Sequence, residues 1–237
     1  MPLRALIFDV DGTLAETEEA HRLAFNQAFA ESGLDWVWDR TTYHVLLDVS
    51  GGAERLRSFI NGLPPQQQPP HLDALIADLH RRKSTIYTAR LKAGEFGFRP
   101  GVLRLMAEAR RQGLVLAIAS NTSRRGVEAL LERATDEWGI AHPFAAIACG
   151  EDAPRKKPDP QVYQLVLDHL GLPAASCLAI EDSTNGVRAA ISAGLAVVVS
   201  KSICTLRSDF TGARAVFDNL ARVTLADLIR LHGDSRA

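Results

Sequence analysis

Asp9 and Asp11 stand two residues apart at the end of the apolar run Ala5-Leu6-Ile7-Phe8, and Gly12 follows them. Four apolar residues in a row read as a strand buried on both faces, the kind found in parallel sheets. Residues two apart on a strand share a face. Here the strand is ending, so the second carboxylate can swing over the sheet edge. Open α/β sheets bind ligands at the carboxyl ends of their strands. Two acids at such an end, with a glycine that allows close backbone approach, suit a metal ion and a phosphate. The same residues also read as a strand ending in an acidic turn. Asp-x-Asp-Gly begins a calcium loop too, but Thr13-Leu14 continues no ligand series.

Three further stretches carry groups of the same chemistry. Ser120 follows the apolar run 114–119 directly, with Asn121 and Thr122 next. A hydroxyl and free backbone N–H groups at a strand end suit a phosphate oxygen; they equally suit a helix cap. Lys156-Lys157-Pro158 precedes a helical stretch. Proline near a helix start is ordinary, and paired loop lysines are commonly just solvated. Glu181-Asp182 closes the apolar run 177–180. Adjacent acids after such a run are costly unless solvated or bound to a cation, and an N-cap for the next helix is the plainer alternative.

Asp9-Val10-Asp11-Gly12-Thr13 resembles the first motif of the haloacid dehalogenase superfamily, and Ser120, Lys157-Pro158 and Glu181-Asp182 stand where its second, third and fourth motifs belong. The resemblance covers essentially the whole chain. In the phosphatases of that family it implies Asp9 as nucleophile, Asp11 as general acid and base, and Ser120 and Lys157 on the phosphoryl group. It implies Mg²⁺ on Asp9, Asp182 and the Asp11 carbonyl, with Glu181 acting through a bound water. The grouping has a physical reason. A carboxylate attacking a phosphate dianion meets about 4 kcal/mol of repulsion per charge pair at ~4 Å and an effective dielectric of ~20. One magnesium ion and one lysine offset this and hold the oxygens in line.

These groups need a scaffold that brings distant strand ends together. The 237 residues, 46% apolar and 23% charged with net charge −1, belong to a globular protein of one large or two smaller domains. No long basic run suggests a nucleic-acid or membrane partner, and no apolar stretch approaches the length of a membrane span. Cys149, Cys177 and Cys204 are odd in number and read as thiols of a reducing cytoplasm. From Phe98 onward, strand-like runs (114–119, 144–149, 177–180, 195–199, 215–217) alternate with helical ones near 102–111, 123–138, 161–170 and 185–193. Gly113, Gly171 and Gly194 stand where helices end. That alternation predicts a doubly wound, Rossmann-like parallel sheet covered on both faces. Residues 16–92 carry only helical signals: an apolar face from Ala20 to Phe29 after a Thr17 cap, a short helix over 39–47, another around Leu56–Ile60, and a long one from Leu72 to about Leu91. Pro64 to Pro70 reads as a surface loop. The expected organisation is a catalytic α/β core of residues 1–15 and 93–237, with an all-helical cap domain of 16–92 inserted after the first strand.

The expected cap carries its own candidates for substrate binding. Glu18 can take sugar hydroxyls, or merely favour the positive end of the helix dipole. Gly51-Gly52 at a helix start suits an anion-binding nest, and Arg55 can clamp a phosphate bidentately. His21 reads as a packing or hinge residue. These stretches, with Arg99-Pro100-Gly101-Val102, are similar to the CbbY-type xylulose-1,5-bisphosphate phosphatases. Lys83 also matches that group, whereas Ala53 stands where the group has Lys. The resemblance implies a Mg²⁺-dependent phosphatase acting through an aspartyl-phosphate on a small phosphorylated sugar, with Glu18, Gly51, Gly52, Arg55, Lys83 and Asn121 around the substrate. A monomer with no nucleic-acid or membrane partner is expected. A phosphomutase, or a phosphatase for another small phosphorylated metabolite, would use the same groups.

Overall fold

The computed structural model describes residues 1–138 and 143–234. Among these, six strands form one parallel sheet: β1 (Ala5–Phe8), β2 (Val115–Ala119), β3 (Phe144–Ala148), β4 (Cys177–Glu181), β5 (Ala196–Ser200) and β6 (Ala215–Phe217), in the order β3-β2-β1-β4-β5-β6. This is the doubly wound order that the alternating runs predict. The three central strands are in register, Leu6 beside Leu116 and Leu178, Ile7 beside Ala117 and Ala179. Strand periodicity therefore sorts their residues into two unlike faces. Leu6, Phe8, Leu116, Ile118, Leu178 and Ile180 form the bulky face. It packs on α5 (Val102–Arg111), α6 (Arg124–Trp138) and α9 (Leu225–Gly233). The opposite face is mostly small, Ala5, Ala117, Ala119 and Ala179, which lets α7 (Gln161–Leu170) and α8 (Thr184–Ser192) lie close. The α9 helix has no counterpart among the sequence expectations; Thr224 and Asp227 start it with a reciprocal capping box.

Between β1 and α5 the chain forms α1 (Glu18–Glu31), α2 (Arg40–Leu46), α3 (Gly52–Asn61) and α4 (Leu72–Lys92). The expected proline loop contains one 3₁₀ turn, Pro65–Gln67. These helices enclose an apolar cluster of their own, built on Phe25, Phe29, Trp38, Tyr43, Leu56, Ile60, Ile76 and Leu79. A smaller cluster, Ala20, Ala24, Tyr87 and Leu91 with Ala129 of α6, joins α1 and α4 to the sheet side. Among the described residues no helix is long and apolar enough to cross a membrane.

The two crossings between helices and sheet are tied to each other. Ala15 and Phe98 form an antiparallel bridge, and the Arg99 N–H donates to the Leu14 carbonyl at 2.8 Å. The buried Arg99 guanidinium then collects acceptors from two further segments. It pairs with Glu16 at 3.1 Å, donates to the Ser200 carbonyl and hydroxyl at 3.0 Å each, and reaches the carbonyls of Gly12 and Lys201. One side chain thus holds the loop after β1, the exit of β5 and the return crossing. Arg99→Met keeps most of the volume but leaves these acceptors unpaired. It should destabilise the protein by about 3–5 kcal/mol, measured by urea unfolding, against under about 1 kcal/mol for Glu16→Gln at the wetter end of the pair.

Candidate active site

β1 and β4 are neighbours from which the chain departs toward opposite sides of the sheet, so a crevice opens at their carboxyl ends. Asp9 leaves β1 there, and Glu181 and Asp182 end β4 beside it. The carboxylates of these three acids offer ligand atoms within 4.8 Å of one another. Glycine makes the clustering possible. A Cβ on Gly12 would collide with the Asp182 carboxylate, and one on Gly186 with the Glu181 carboxylate.

Lys157, carried by the loop before α7, is buried among these acids. Its ammonium donates to Asp9 Oδ1 at 2.7 Å, Glu181 Oε1 at 2.6 Å and the Ala119 carbonyl at 2.8 Å, using all three protons. Tyr163 of α7 donates to the same Glu181 oxygen at 2.5 Å and lays its ring 5.0 Å from the ammonium. Burial disfavours the charged lysine, but Asp9 and Glu181 outweigh it and raise its pKa. Burial also pushes the Asp9 carboxyl up, and Lys157 only partly reverses this. Asp182 lies well above the usual carboxylate range through burial and then the charges of Asp9 and Glu181. A divalent cation fits this donor set: buried, crowded carboxylate oxygens, with the backbone of Gly12 close against Asp182.

Asp11 lies in a different environment. Its Oδ1 accepts from the Thr17 hydroxyl at 2.5 Å and the Tyr87 hydroxyl at 3.1 Å, and His21 Nε2 lies 3.1 Å away. Thr17 is the residue before α1, as the sequence predicts, but its hydroxyl serves Asp11 and caps no helix N–H. The His21 ring stacks on Tyr87 at 3.8 Å, and its Nδ1 lies 2.6 Å from Lys83 Nζ. With Nε2 protonated toward Asp11, Nδ1 accepts from Lys83. Burial pushes the Asp11 carboxyl up, but His21, Thr17 and Lys83 together hold it well below the usual range. Burial lowers Lys83 to about 8 despite the Asp11 charge.

A cavity of about 680 Å³ lies between sheet and helices. Asp9, Asp11, Ser120, Asn121, Lys157 and Asp182 line it from the sheet side, and Glu18, Gly51, Gly52, Arg55 and Lys83 from the helices. Of the residues singled out in the sequence, Glu181 alone stands behind this lining, fully buried under Lys157 and Tyr163. Ser120 accepts from the Thr122 N–H at 3.2 Å, and Asn121 Oδ1 from the Lys157 N–H at 3.2 Å, so Asn121 fixes the lysine loop. A Cβ on Gly51 would collide with the Glu54 carboxylate, which lies close over this turn. Asn185, at the start of α8, donates to the Asp48 carbonyl and the Ser50 hydroxyl at 3.1 Å each, joining the helices to the sheet across the cleft. Tyr43, Tyr87, Tyr163 and Asn185 are contributors that the sequence reading did not single out. The tyrosines look like ordinary core aromatics there, and only the polar partner of each hydroxyl distinguishes them.

Comparisons with known proteins identify the family and the fold. A family model described as a haloacid dehalogenase-like hydrolase matches residues 3–194. A protein of Rhodobacter capsulatus named CbbY is 47% identical over 213 residues, 90% of this chain and 92% of that one. The crystal structure of CbbY from Rhodobacter sphaeroides in complex with phosphate superposes with a TM-score of 0.88 at 43% identity, covering 95% of this chain and 99% of that one. A mutant of the same protein, crystallised in complex with xylulose-1,5-bisphosphate, matches to the same extent.

The depressed Lys83 makes a signed pH prediction. Between about 8 and 10.5 the unfolded chain holds a proton on this lysine that the native protein does not, so its contribution to stability rises with pH across that window. Lys83→Met removes the contribution. The stability of wild type relative to Lys83→Met, from urea unfolding, should therefore improve as pH rises from about 8. A difference constant with pH would mean that the Asp11 charge fully offsets burial and leaves this ammonium with the same pKa folded and unfolded.

Proposed function

Because the chain belongs to the haloacid dehalogenase-like hydrolases and is a phosphatase of that family, we propose that it is a Mg²⁺-dependent sugar-bisphosphate phosphatase, with xylulose-1,5-bisphosphate the leading substrate. The observation that carries this is one cavity with Asp9, Lys157 and Asp182 on its floor and the cations Lys83 and Arg55 on the facing wall. The 43% identity to a protein crystallised with that bisphosphate supports the choice of sugar. In this reading residues 16–92 are a cap over a core of residues 1–15 and 93–237.

Asp9, Asp182 and the Asp11 carbonyl would hold the Mg²⁺, with Glu181 behind them. When bound, the ion neutralises charge on the carboxylates and on the phosphate oxygens. The Asp9 carboxylate attacks phosphorus, the P–O bond to the sugar breaks, and an aspartyl-phosphate forms. Lys157 turns onto a phosphoryl oxygen the proton that it gives Asp9 Oδ1 in the free site, and the Ser120 hydroxyl holds another, while charge shifts from the nucleophile to the leaving group. The sugar alkoxide takes a proton from Asp11, which then removes one from the water that hydrolyses the acyl phosphate. Asp11 is ionised where it stands, beside Thr17, His21 and Tyr87. A phosphate dianion approaching it favours the protonated form, as any like charge does. The proton is thus acquired with the substrate.

Phosphate release from xylulose-1,5-bisphosphate and from the matching monophosphate tests the reading. Wild type with Mg²⁺ should release phosphate and favour the bisphosphate. Asp9→Asn should fold and release none. Arg55→Ala should weaken the bisphosphate by about 1.5–3 kcal/mol, the range for charged hydrogen bonds, and the monophosphate less. Isomerisation that depends on a bisphosphate but releases no phosphate would instead identify a mutase.

A further inference from the structure

Glu18 and Arg55 bring opposite charges to one wall of the cavity, and the Tyr43 hydroxyl stands between them. It donates to Glu18 Oε2 at 2.8 Å and accepts from Arg55 Nη1 at 2.9 Å. A phenol has one proton to give and lone pairs to receive with. With its proton committed to the carboxylate, its lone pairs are aimed at the guanidinium. Arg55 Nε donates to the Leu46 carbonyl at 3.0 Å, and the guanidinium carbon lies 5.1 Å from the centroid of the Tyr43 ring. The ring is nearly inaccessible, wedged between Phe25 at 6.4 Å and Trp38 at 6.0 Å. Burial, first of all, keeps the phenol protonated.

A guanidinium and a carboxylate this near on a cavity wall would pair directly if free to do so, and each would then spend its charge on the other. The phenol holds them one hydroxyl apart instead. Arg55 is fixed through Nε and Nη1, while Nη2 makes neither of those bonds. Glu18 is held through Oε2, which leaves Oε1 for another donor. We propose that Tyr43 is a positioning residue for substrate selectivity. It sets Arg55 for the phosphate that is not cleaved and Glu18 for a neighbouring hydroxyl, so that the wall reads a polyol chain ending in a second phosphate. This rests on the bisphosphate reading above.

Tyr43→Phe keeps the ring in its apolar setting and removes only the oxygen. The experiment compares kcat and KM for xylulose-1,5-bisphosphate and the matching monophosphate in wild type, Tyr43→Phe, Arg55→Ala and the double variant, with Tm measured for each. In Tyr43→Phe the ratio of kcat/KM for bisphosphate over monophosphate should fall about tenfold, in the range for a lost hydrogen bond to a charged group, and the fall should lie in KM. The double variant should show no further fall in that ratio beyond Arg55→Ala, because the phenol reads the second phosphate through the guanidinium, whereas its hold on Glu18 serves both substrates alike. Independent, additive losses would overturn the proposal. So would a loss equal on both substrates with a lowered Tm, which would make Tyr43 a packing residue only. A wild-type preference for the bisphosphate that survives Tyr43→Phe would overturn this proposal alone. No preference in wild type would overturn the substrate reading and this proposal with it.

Discussion

Three carboxylates that must be buried side by side are the constraint on which the structure turns. Asp9, Glu181 and Asp182 converge within 4.8 Å. Each charged pair at about 4 Å repels by several kcal/mol even at a generous dielectric. The surrounding fold answers this repulsion group by group. The loop before α7 sends Lys157 in from below, and α7 itself adds the Tyr163 hydroxyl. The end of β2 supplies the Ala119 carbonyl that takes the third lysine proton. The adjacency of β1 and β4, the placement of α7 and the glycines at 12 and 186 all serve the same convergence. One lysine against three acids leaves negative charge over, which a divalent cation would balance. In the proposed function, a metal-dependent phosphoryl transfer would use that imbalance.

The same strand end sends a second acid into an opposite environment. Asp9 faces other carboxylates and Asp11 faces donors and cations, so burial and neighbours drive the two carboxyls apart in proton affinity. Two acids with divergent environments are the usual basis for dividing roles between a nucleophile and a proton carrier. The partners of Asp11 come from α1 and α4, whereas those of Asp9 come from the sheet side. The helices therefore act on the chemistry as well as on the shape of the cavity. Asn185, across the cleft, and Arg99, at the two crossings, tie the helices to the sheet.

Much of the fold was legible because its signals are local. The runs Ala5–Phe8, Val115–Ala119 and, up to Ile180, Cys177–Glu181 are buried and read as uninterrupted apolar stretches. The α9 helix has no counterpart among the expectations, although Thr224 and Asp227 stand at capping-box spacing before it and are a local signal. The acids and lysines that line the cavity announce themselves, since a charged residue at the end of an apolar run calls for an explanation. Tyr43, Tyr87 and Tyr163 do not, because an aromatic at helical spacing is indistinguishable from core until the partner of its hydroxyl is known. Arg99 is similar: besides Glu16 and the Ser200 hydroxyl, its acceptors are the backbone carbonyls of Gly12, Ser200 and Lys201, which no residue type marks. Long-range polar pairing was what the sequence withheld.

The most direct measurement concerns where the phosphoryl group goes. Wild-type protein turning over the bisphosphate can be quenched in acid, reduced with borohydride to convert any acyl phosphate to an alcohol, digested and sequenced by mass spectrometry. If Asp9 takes the phosphoryl group, the reduced residue lies in the peptide containing Asp9, at position 9, and is absent without substrate. A reduced residue at Asp11, Glu181 or Asp182, or none during active turnover, would contradict it.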